Sequence, residues 1–175
     1  MSLHPGINAN FIDKTSNQHT SSTHWRTGSG SQSSISEIIA HSIEHTLDGG
    51  SVYIGSDSQM HGSKCIFVTT VCLHGGSKKT SRYFFKREKP VAYSDISLRK
   101  RITDEVSNAL DVFLILVESV PDLQAEIHVD IGRTERSKTK GLVDSITGWV
   151  KGLGVTCKIK PEAWASAAVA DKHTK

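Results

Sequence analysis

The sequence contains little cysteine, few aromatic residues and no long hydrophobic run. Of its 175 residues, 3 are cysteines, and aromatic side chains make up 6%. The longest unbroken apolar stretch, residues 112–117, is far shorter than the ~20 residues that span a bilayer. Residues 1–10 also lack the apolar run of a secretory signal. These absences predict a soluble protein with no membrane partner.

The cysteines show no pattern of pairing or of metal binding. Cys65, Cys72 and Cys157 are odd in number, and none of them lies in a CxxC spacing. This pattern excludes a disulfide framework and does not match a cysteine-ligated metal site. Because unpaired thiols are typical of a reducing compartment, the sequence predicts a cytoplasmic protein.

Length and composition predict one domain with a tail. A chain of 175 residues fits a single globular domain. Residues 1–34 hold twelve Ser or Thr residues and few aliphatic ones, so they bury too little apolar surface to offset the entropy lost on ordering. Apolar residues begin to recur at helical spacing from residue 35. We therefore expect a flexible Ser/Thr-rich tail over residues 1–34 and one folded domain over residues 35–175.

Hydrophobic periodicity predicts the order of helices and strands. Helical spacing covers residues 35–47, 94–120 and 137–153 and a short Ala-rich segment after Pro161, whereas strand patterns cover residues 52–56, 65–73, 82–86, 125–131 and 155–159. The first three strands follow one another through turns, which predicts antiparallel pairing. The later strands alternate with helices, which predicts parallel pairing. The fold class is therefore α/β, with a mixed five-stranded sheet flanked by helices.

Acidic residues fall at corresponding positions of two predicted strands. Asp57 directly follows the strand over residues 52–56, and Asp130 lies at the end of the strand over residues 125–131. If these strands are neighbours, their spacing of ~4.8 Å brings the two carboxylates together, and a shared cation offsets their repulsion. Asp57 taken by itself is equally consistent with the start of a turn.

Two further carboxylates lie on predicted helices. Glu105 falls on the apolar stripe of the long helix, where Asp104 does not, although a salt bridge with Arg101 also accounts for Glu105. Asp171 lies on the short Ala-rich helix. The candidates for metal binding and catalysis are therefore Asp57, Glu105, Asp130 and Asp171. An all-carboxylate set is typical of Mg²⁺ or Mn²⁺ and not of zinc, and such sites often serve the two-metal hydrolysis of phosphodiesters.

Basic residues are concentrated in two places, although the net charge is only +3. One cluster lies between residues 78 and 101, and the other lies in the segment that follows Asp130. Clusters of this kind bind phosphate backbones, and they also occur as solvated surfaces. The residues predicted to contact nucleic acid are Lys86, Arg87, Arg133, Arg136, Lys138, Lys140 and Lys172.

Three strings of residues resemble a known family. They are VYIGSDSQ at residues 52–59, VDIG at residues 129–132, and the ending formed by KIKP at residues 158–161 and ASAAVADK at residues 165–172. On these motifs, residues 35–175 are similar to the YkuK-like family of bacterial proteins, which is assigned to the ribonuclease H-like superfamily. The resemblance implies a ribonuclease H-like fold. It also implies acidic site residues at Asp57, Glu105, Asp130 and Asp171, with Asp104 as the alternative to Glu105.

The residues and the resemblance together predict a Mg²⁺- or Mn²⁺-dependent nuclease. It would hydrolyse RNA, an RNA–DNA hybrid or DNA by a two-metal mechanism. A non-catalytic nucleic-acid-binding module with the same fold is the first alternative. Residues 129–134 also resemble the phosphate loop of sugar kinases and actin-like ATPases, which makes an ATPase-like protein the second alternative. Those proteins clasp nucleotide between two lobes, whereas the length of this chain fits one.

Overall fold

The computed structural model describes residues 24–77, 80–92, 97–120 and 122–175. The strands are β1 (Trp25–Thr27), β2 (Gln32–Ser33), β3 (Gly50–His61), β4 (Lys64–Gly75), β5 (Thr80–Arg87), β6 (Val91–Ala92), β7 (Ala125–Val129) and β8 (Thr156–Lys158). The helices are α1 (Ile35–Leu47), α2 (Leu98–Ser119), α3 (Val143–Gly152) and α4 (Asp171–Thr174). A 3₁₀ turn (Lys140–Leu142) precedes α3, and a π-helical segment (Ala165–Ala170) precedes α4. None of the described helices is both long and apolar enough to cross a membrane.

The strands form one mixed sheet in the order β2-β1-β5-β4-β3-β7-β8, with β6 paired to β4. β3, β4 and β5 pair antiparallel, and β7 and β8 extend the sheet parallel to β3. The predicted α/β class and the mixed central sheet are therefore confirmed. The predicted number of five strands is too low, because β1, β2 and β6 also join the sheet. Each of these strands has only two or three residues, too few to show a strand pattern in the sequence.

One face of the sheet carries the main hydrophobic core. Alternate residues of β3 and β7, such as Ile54 and Ile127, are fully buried and pack with apolar residues of α1, α2 and α3. α1 begins at a capping box, in which the Ser34 hydroxyl accepts from the backbone of Glu37 and the Glu37 carboxylate accepts from the backbone of Ser34. The same packing sets α2 against β3, and this brings Glu105 to the sheet.

Residues 24–34, which the sequence analysis assigns to a flexible tail, belong to the structured domain. β1 pairs antiparallel with β5, and β2 pairs with β1. Trp25 is 8% exposed and packs in the main core. The predicted boundary at residue 34 is therefore corrected, because one buried indole and a strand pairing hold a segment that is polar by composition. The rest of the predicted tail, residues 1–23, lies outside the described residues.

The C-terminal segment covers the opposite face of β3. A Cβ atom placed on Gly55 would lie 2.5 Å from the backbone nitrogen of Ser166, so glycine is needed for this close approach. Beside it, the Thr70 hydroxyl donates a hydrogen bond to the carbonyl oxygen of Ala165 at 3.1 Å. The backbone N–H of Ala165 donates to Nδ1 of the buried His128 at 3.1 Å. The segment is therefore fastened to β3, β4 and β7 shortly before α4 begins.

We expect Gly55→Ala to lower the free energy of unfolding by about 1–3 kcal/mol, because the added methyl group overpacks against backbone atoms. Gly148→Ala is the matched control. Gly148 lies within α3 and an added Cβ meets nothing within 4 Å, so the higher helix propensity of alanine should raise stability by about 1 kcal/mol. Urea unfolding measures both changes. A Gly55→Ala variant as stable as the parent would contradict the close contact.

Candidate active site

Asp57 and Asp130 lie side by side on neighbouring strands. β3 and β7 are parallel, in a register that pairs Ser56 with Val129, and each aspartate follows its paired residue. The prediction that the two strands are neighbours is therefore confirmed. One detail is corrected, because Asp57 lies inside β3, which continues to His61, and not at the end of a strand. β4 stays paired with β3 along this extension, so Asp57 is held within a continuous antiparallel ladder.

Glu105 is the carboxylate that α2 contributes. Its side chain is 3% exposed, and the hydroxyl of Ser58 on β3 donates a hydrogen bond to its Oε1 atom at 2.5 Å. Its other oxygen, Oε2, is buried and has no hydrogen-bond donor among the described residues. Asp104 instead pairs with Lys100, one helical turn away, at 2.8 Å. The phase of α2 therefore places Glu105, and not Asp104, at the site.

A cavity of about 350 Å³ joins these carboxylates. Its lining residues are Asp57, Leu98, Arg101, Ile102, Glu105, Asp130, Ser137, Lys138, Thr139 and Lys160. Asp171 is not part of this lining and pairs with Lys175 at 2.9 Å. Its negative charge nevertheless contributes to raising the pKa of Asp57. The structure thus brings three of the four predicted carboxylates to one cavity and the fourth close to it.

Two of the carboxyl groups that line the cavity have raised pKa values, although the lining holds as many basic as acidic residues. Burial, together with the charges of Asp130 and Asp171, raises the pKa of Asp57 to about 6, although a hydrogen bond from the backbone of Ser58 lowers it. Burial, together with the charges of Asp57 and Asp130, raises the pKa of Glu105 to about 8, against the opposing hydrogen bond from Ser58. Since both carboxyl groups resist ionisation, a cation that reached them would stabilise their charged forms.

Two basic residues that the sequence analysis did not assign to the site lie beside the carboxylates. Nζ of Lys160 is 2.8 Å from Oδ1 of Asp130. Arg101 lines the cavity, and its charge lowers the pKa of both Asp57 and Glu105. Lys160 lies within the KIKP motif, directly after β8, and its backbone N–H donates to the carbonyl oxygen of Ile131 after the neighbouring β7 at 2.9 Å. Motif spacing alone does not reveal that contact.

The folded region matches a family of known proteins. A family model described as ribonuclease H-like matches residues 32–175. The chain belongs to the ribonuclease H-like family. It is also 29% identical over 135 residues to the uncharacterized protein YkuK of Bacillus subtilis (strain 168), in an alignment that covers 70% of this chain and 77% of that protein. The family predicted from the sequence motifs is therefore confirmed.

The residues of this ribonuclease H-like site fit a divalent metal ion in their chemistry. The donors are carboxylate oxygens, which Mg²⁺ and Mn²⁺ prefer, and Oε2 of Glu105 is a buried acceptor without a donor among the described residues. Within residues 24–77, 80–92, 97–120 and 122–175, no three Asp, Glu, His or Cys side chains are grouped closely enough to hold an ion as they stand. Nζ of Lys160 lies against Oδ1 of Asp130, so a metal ion would have to bind the other oxygen of this carboxylate or displace the ammonium group.

The predicted nucleic-acid contacts divide between two parts of the ribonuclease H-like domain. The segment between β7 and α3 contains Arg133, Arg136, Lys138 and Lys140. β5 and α4 contain Lys86, Arg87 and Lys172. In the first group, Lys138 lines the carboxylate cavity, whereas Arg133 pairs with Asp144 at 3.1 Å. Two separate basic surfaces result, of which one adjoins the carboxylates.

Metal-free protein should lose stability as the pH rises through the range in which Glu105 ionises. This carboxyl has a pKa of 4.5 in its ordinary state and of about 8 in the folded protein. Between these values the folded state binds the proton more tightly than the unfolded state, so the free energy of unfolding falls as the pH increases. Glu105→Gln removes this ionisation. In EDTA, the melting temperature of the variant minus that of the parent should therefore increase between about pH 4 and about pH 9. A difference that stays constant over this pH range would contradict the raised pKa.

Proposed function

We propose that this protein is a Mg²⁺- or Mn²⁺-dependent nuclease that hydrolyses phosphodiester bonds in RNA, an RNA–DNA hybrid or DNA. The observation that carries the proposal is the meeting of Asp57, Glu105 and Asp130, from two strands and a helix, at one cavity. Membership of the ribonuclease H-like family supports a function related to nucleic acid. Buried carboxylates that raise one another's pKa are typical of a cation-binding catalytic site.

The carboxylates have distinct parts in this proposal. In a two-metal site, Asp57 and Asp130 would hold the metal ions, and Glu105 and Asp171 would each complete the ligands of one ion. When bound, such ions supply charge stabilisation to a phosphoryl group and make a water molecule more acidic. Ser58 positions Glu105 through its hydrogen bond to Oε1. The other oxygen, Oε2, has no hydrogen-bond donor among the described residues. Glu105 must give up its proton to act as a ligand, since its pKa is about 8.

Basic residues at the cavity are suited to hold the nucleic-acid backbone near the carboxylates. Lys138 and Arg101 line the same cavity as Asp57. Cationic side chains in this position reduce the repulsion between phosphates and carboxylates. Lys160 has a different part, because its ammonium group pairs with Asp130 and would compete with a metal ion for that carboxylate.

A hydrogen bond from the backbone of Gly132 argues against the ATPase-like alternative. In a phosphate loop, backbone N–H groups are directed at the bound phosphate. Here the N–H of Gly132 donates to Oγ1 of Thr139 at 3.1 Å, within the segment between β7 and α3. The non-catalytic binding module therefore remains the alternative that experiment has to separate from the nuclease.

Asp130→Asn should reduce metal-dependent cleavage by about a hundredfold or more, because it removes one ligand charge at the site. The assay uses labelled RNA–DNA hybrid, single strands, duplexes and a four-way junction with Mg²⁺ or Mn²⁺. Asp104→Asn is the matched control, since Asp104 makes its ion pair with Lys100 outside the cavity lining, and it should keep parental activity. Cleavage by Asp130→Asn at the parental rate would overturn the assignment, and absence of cleavage by the parent despite Mn²⁺ binding would favour the binding module.

Lys160→Met should bind Mn²⁺ about two- to fivefold more tightly than the parent, because it removes the ammonium group that competes for Asp130 and a partly exposed ion pair contributes up to ~1 kcal/mol. Isothermal titration calorimetry measures this affinity without any cleavage. Lys151→Met, at an exposed position on α3, is the control for loss of a positive charge. Equal or weaker Mn²⁺ binding by Lys160→Met would argue against Asp130 as a metal ligand.

A further inference from the structure

A second concave surface lies between the end of β5 and α4. It has a volume of about 520 Å³ and shares no lining residue with the carboxylate cavity. Its cationic lining residues are Arg26, Arg87, Lys89, Lys172 and Lys175. They come from β1, from the end of β5 and the residues after it, and from the C-terminal helix and its end. We call this surface the basic groove.

Most of the positive charge of the basic groove is not neutralised within the domain. Glu88, the acidic residue among the described residues of its lining, pairs with Lys86 at 3.3 Å. Lys175 pairs with Asp171. Arg87 and Lys89 are exposed and form no ion pair with another described residue. A concentrated and open positive charge of this kind attracts a polyanion.

The register of the sheet places two arginines of the groove on the same face as Asp57. Arg26 on β1 lies directly opposite Phe85 on β5, and Arg87 follows Phe85 by two residues, so both arginines share its face. Arg87 also pairs in register with Val68, which in turn pairs with Asp57. Two strand spacings, about 10 Å, therefore separate Arg87 from Asp57 across the sheet.

An aromatic stack forms part of the groove between these arginines and α4. The ring of His173 lies on the ring of Phe85, with centroids 3.7 Å apart and planes only 8° from parallel. Both residues line the groove. Phe85 is 9% exposed, whereas His173 is partly exposed, so part of the imidazole remains accessible to a ligand. Nucleic-acid bases stack on flat side chains of this type when the bases are unpaired.

We propose that the basic groove binds a single-stranded segment of nucleic acid, with its phosphates against Arg26, Arg87 and Lys89 and a base stacked on His173. The volume of about 520 Å³ lies in the range of small-molecule sites, which fits one or two nucleotides of one strand. Cations and a stacking ring beside each other are the two elements that single-strand binding uses.

The groove also indicates which substrates reach the carboxylates, and this part of the inference rests on the proposed function. β5 and β3 run parallel, because each pairs antiparallel with β4, so Arg87 at the end of β5 and the carboxylate cavity lie toward the same end of the sheet. Val68, between Arg87 and Asp57, is buried with Ala170, so a strand bound in the groove would continue toward Asp57 around the C-terminal segment and not directly across the sheet. The preferred substrate is therefore a nucleic acid with a single-stranded segment next to the bond that is hydrolysed.

The test measures binding of the full chain to a fluorescein-labelled single-stranded DNA oligonucleotide in EDTA, by fluorescence anisotropy over a series of salt concentrations. Arg87→Glu should weaken binding about tenfold and reduce the slope of log affinity against log salt by about 1 or more. Lys151→Glu, an equal charge reversal at an exposed lysine of α3, should change neither quantity appreciably. Binding of Arg87→Glu equal to that of Lys151→Glu would overturn the inference.

Stacking is tested by His173→Ala, which should weaken binding about fivefold or more at about pH 8 while the salt slope is unchanged. Trp149→Ala removes a partly exposed aromatic ring from α3 and is its control. A blunt duplex that binds as tightly as the single strand would also overturn the inference. The proposed nuclease function is tested by other results: it fails if Asp130→Asn retains cleavage or if the parent protein shows none. Neither of these results changes the binding measured in EDTA.

Discussion

The site depends on how closely the C-terminal segment approaches the central strand. Gly55 lets the backbone of Ser166 lie directly on β3, and hydrogen bonds from Thr70 and to His128 hold Ala165 at the same point. These contacts come from three adjacent strands, so the segment cannot shift along one strand without breaking contacts to the others. As a result α4 begins with Asp171 close enough to raise the pKa of Asp57, although the two residues are far apart in the chain.

The carboxylates that meet at the cavity oppose the stability of the metal-free fold. Burial and mutual repulsion raise the pKa of Asp57 to about 6 and that of Glu105 to about 8. A core of the same shape without these charges would be more stable, so their presence is best explained by a ligand that neutralises them. Lys160 and Arg101 relieve part of the repulsion, since one pairs with Asp130 and the other lowers the pKa of both buried acids. These two basic residues thereby allow the carboxylates to lie close together in the metal-free protein.

The sequence predicts those parts of the site that follow from local periodicity and from general rules of strand pairing. Asp57 and Asp130 are predictable because parallel neighbours place equivalent positions side by side, and Glu105 is predictable from the phase of α2. Contacts between distant segments are not predictable in this way. Trp25 joins the core from a segment with polar composition, so no periodic pattern marks it. Lys160 lies opposite Asp130 in the continued register of β7 and β8, a pairing that appears only once the order of the strands is known.

The separation of the basic groove from the carboxylates has a physical reason. The acidic side chains of the cavity repel the phosphates of a nucleic acid and offset part of the attraction of Arg101 and Lys138, so in the proposed function the cavity would supply only part of the affinity. The cations that line the cavity are partly committed, since Lys160 is paired with Asp130. The remaining affinity would come from a surface where positive charge is not neutralised, such as the basic groove, whose Arg87 lies two strands from Asp57 on the same face. In the proposed function, the carboxylates would then bind the cation, and the basic groove would bind the nucleic-acid strand.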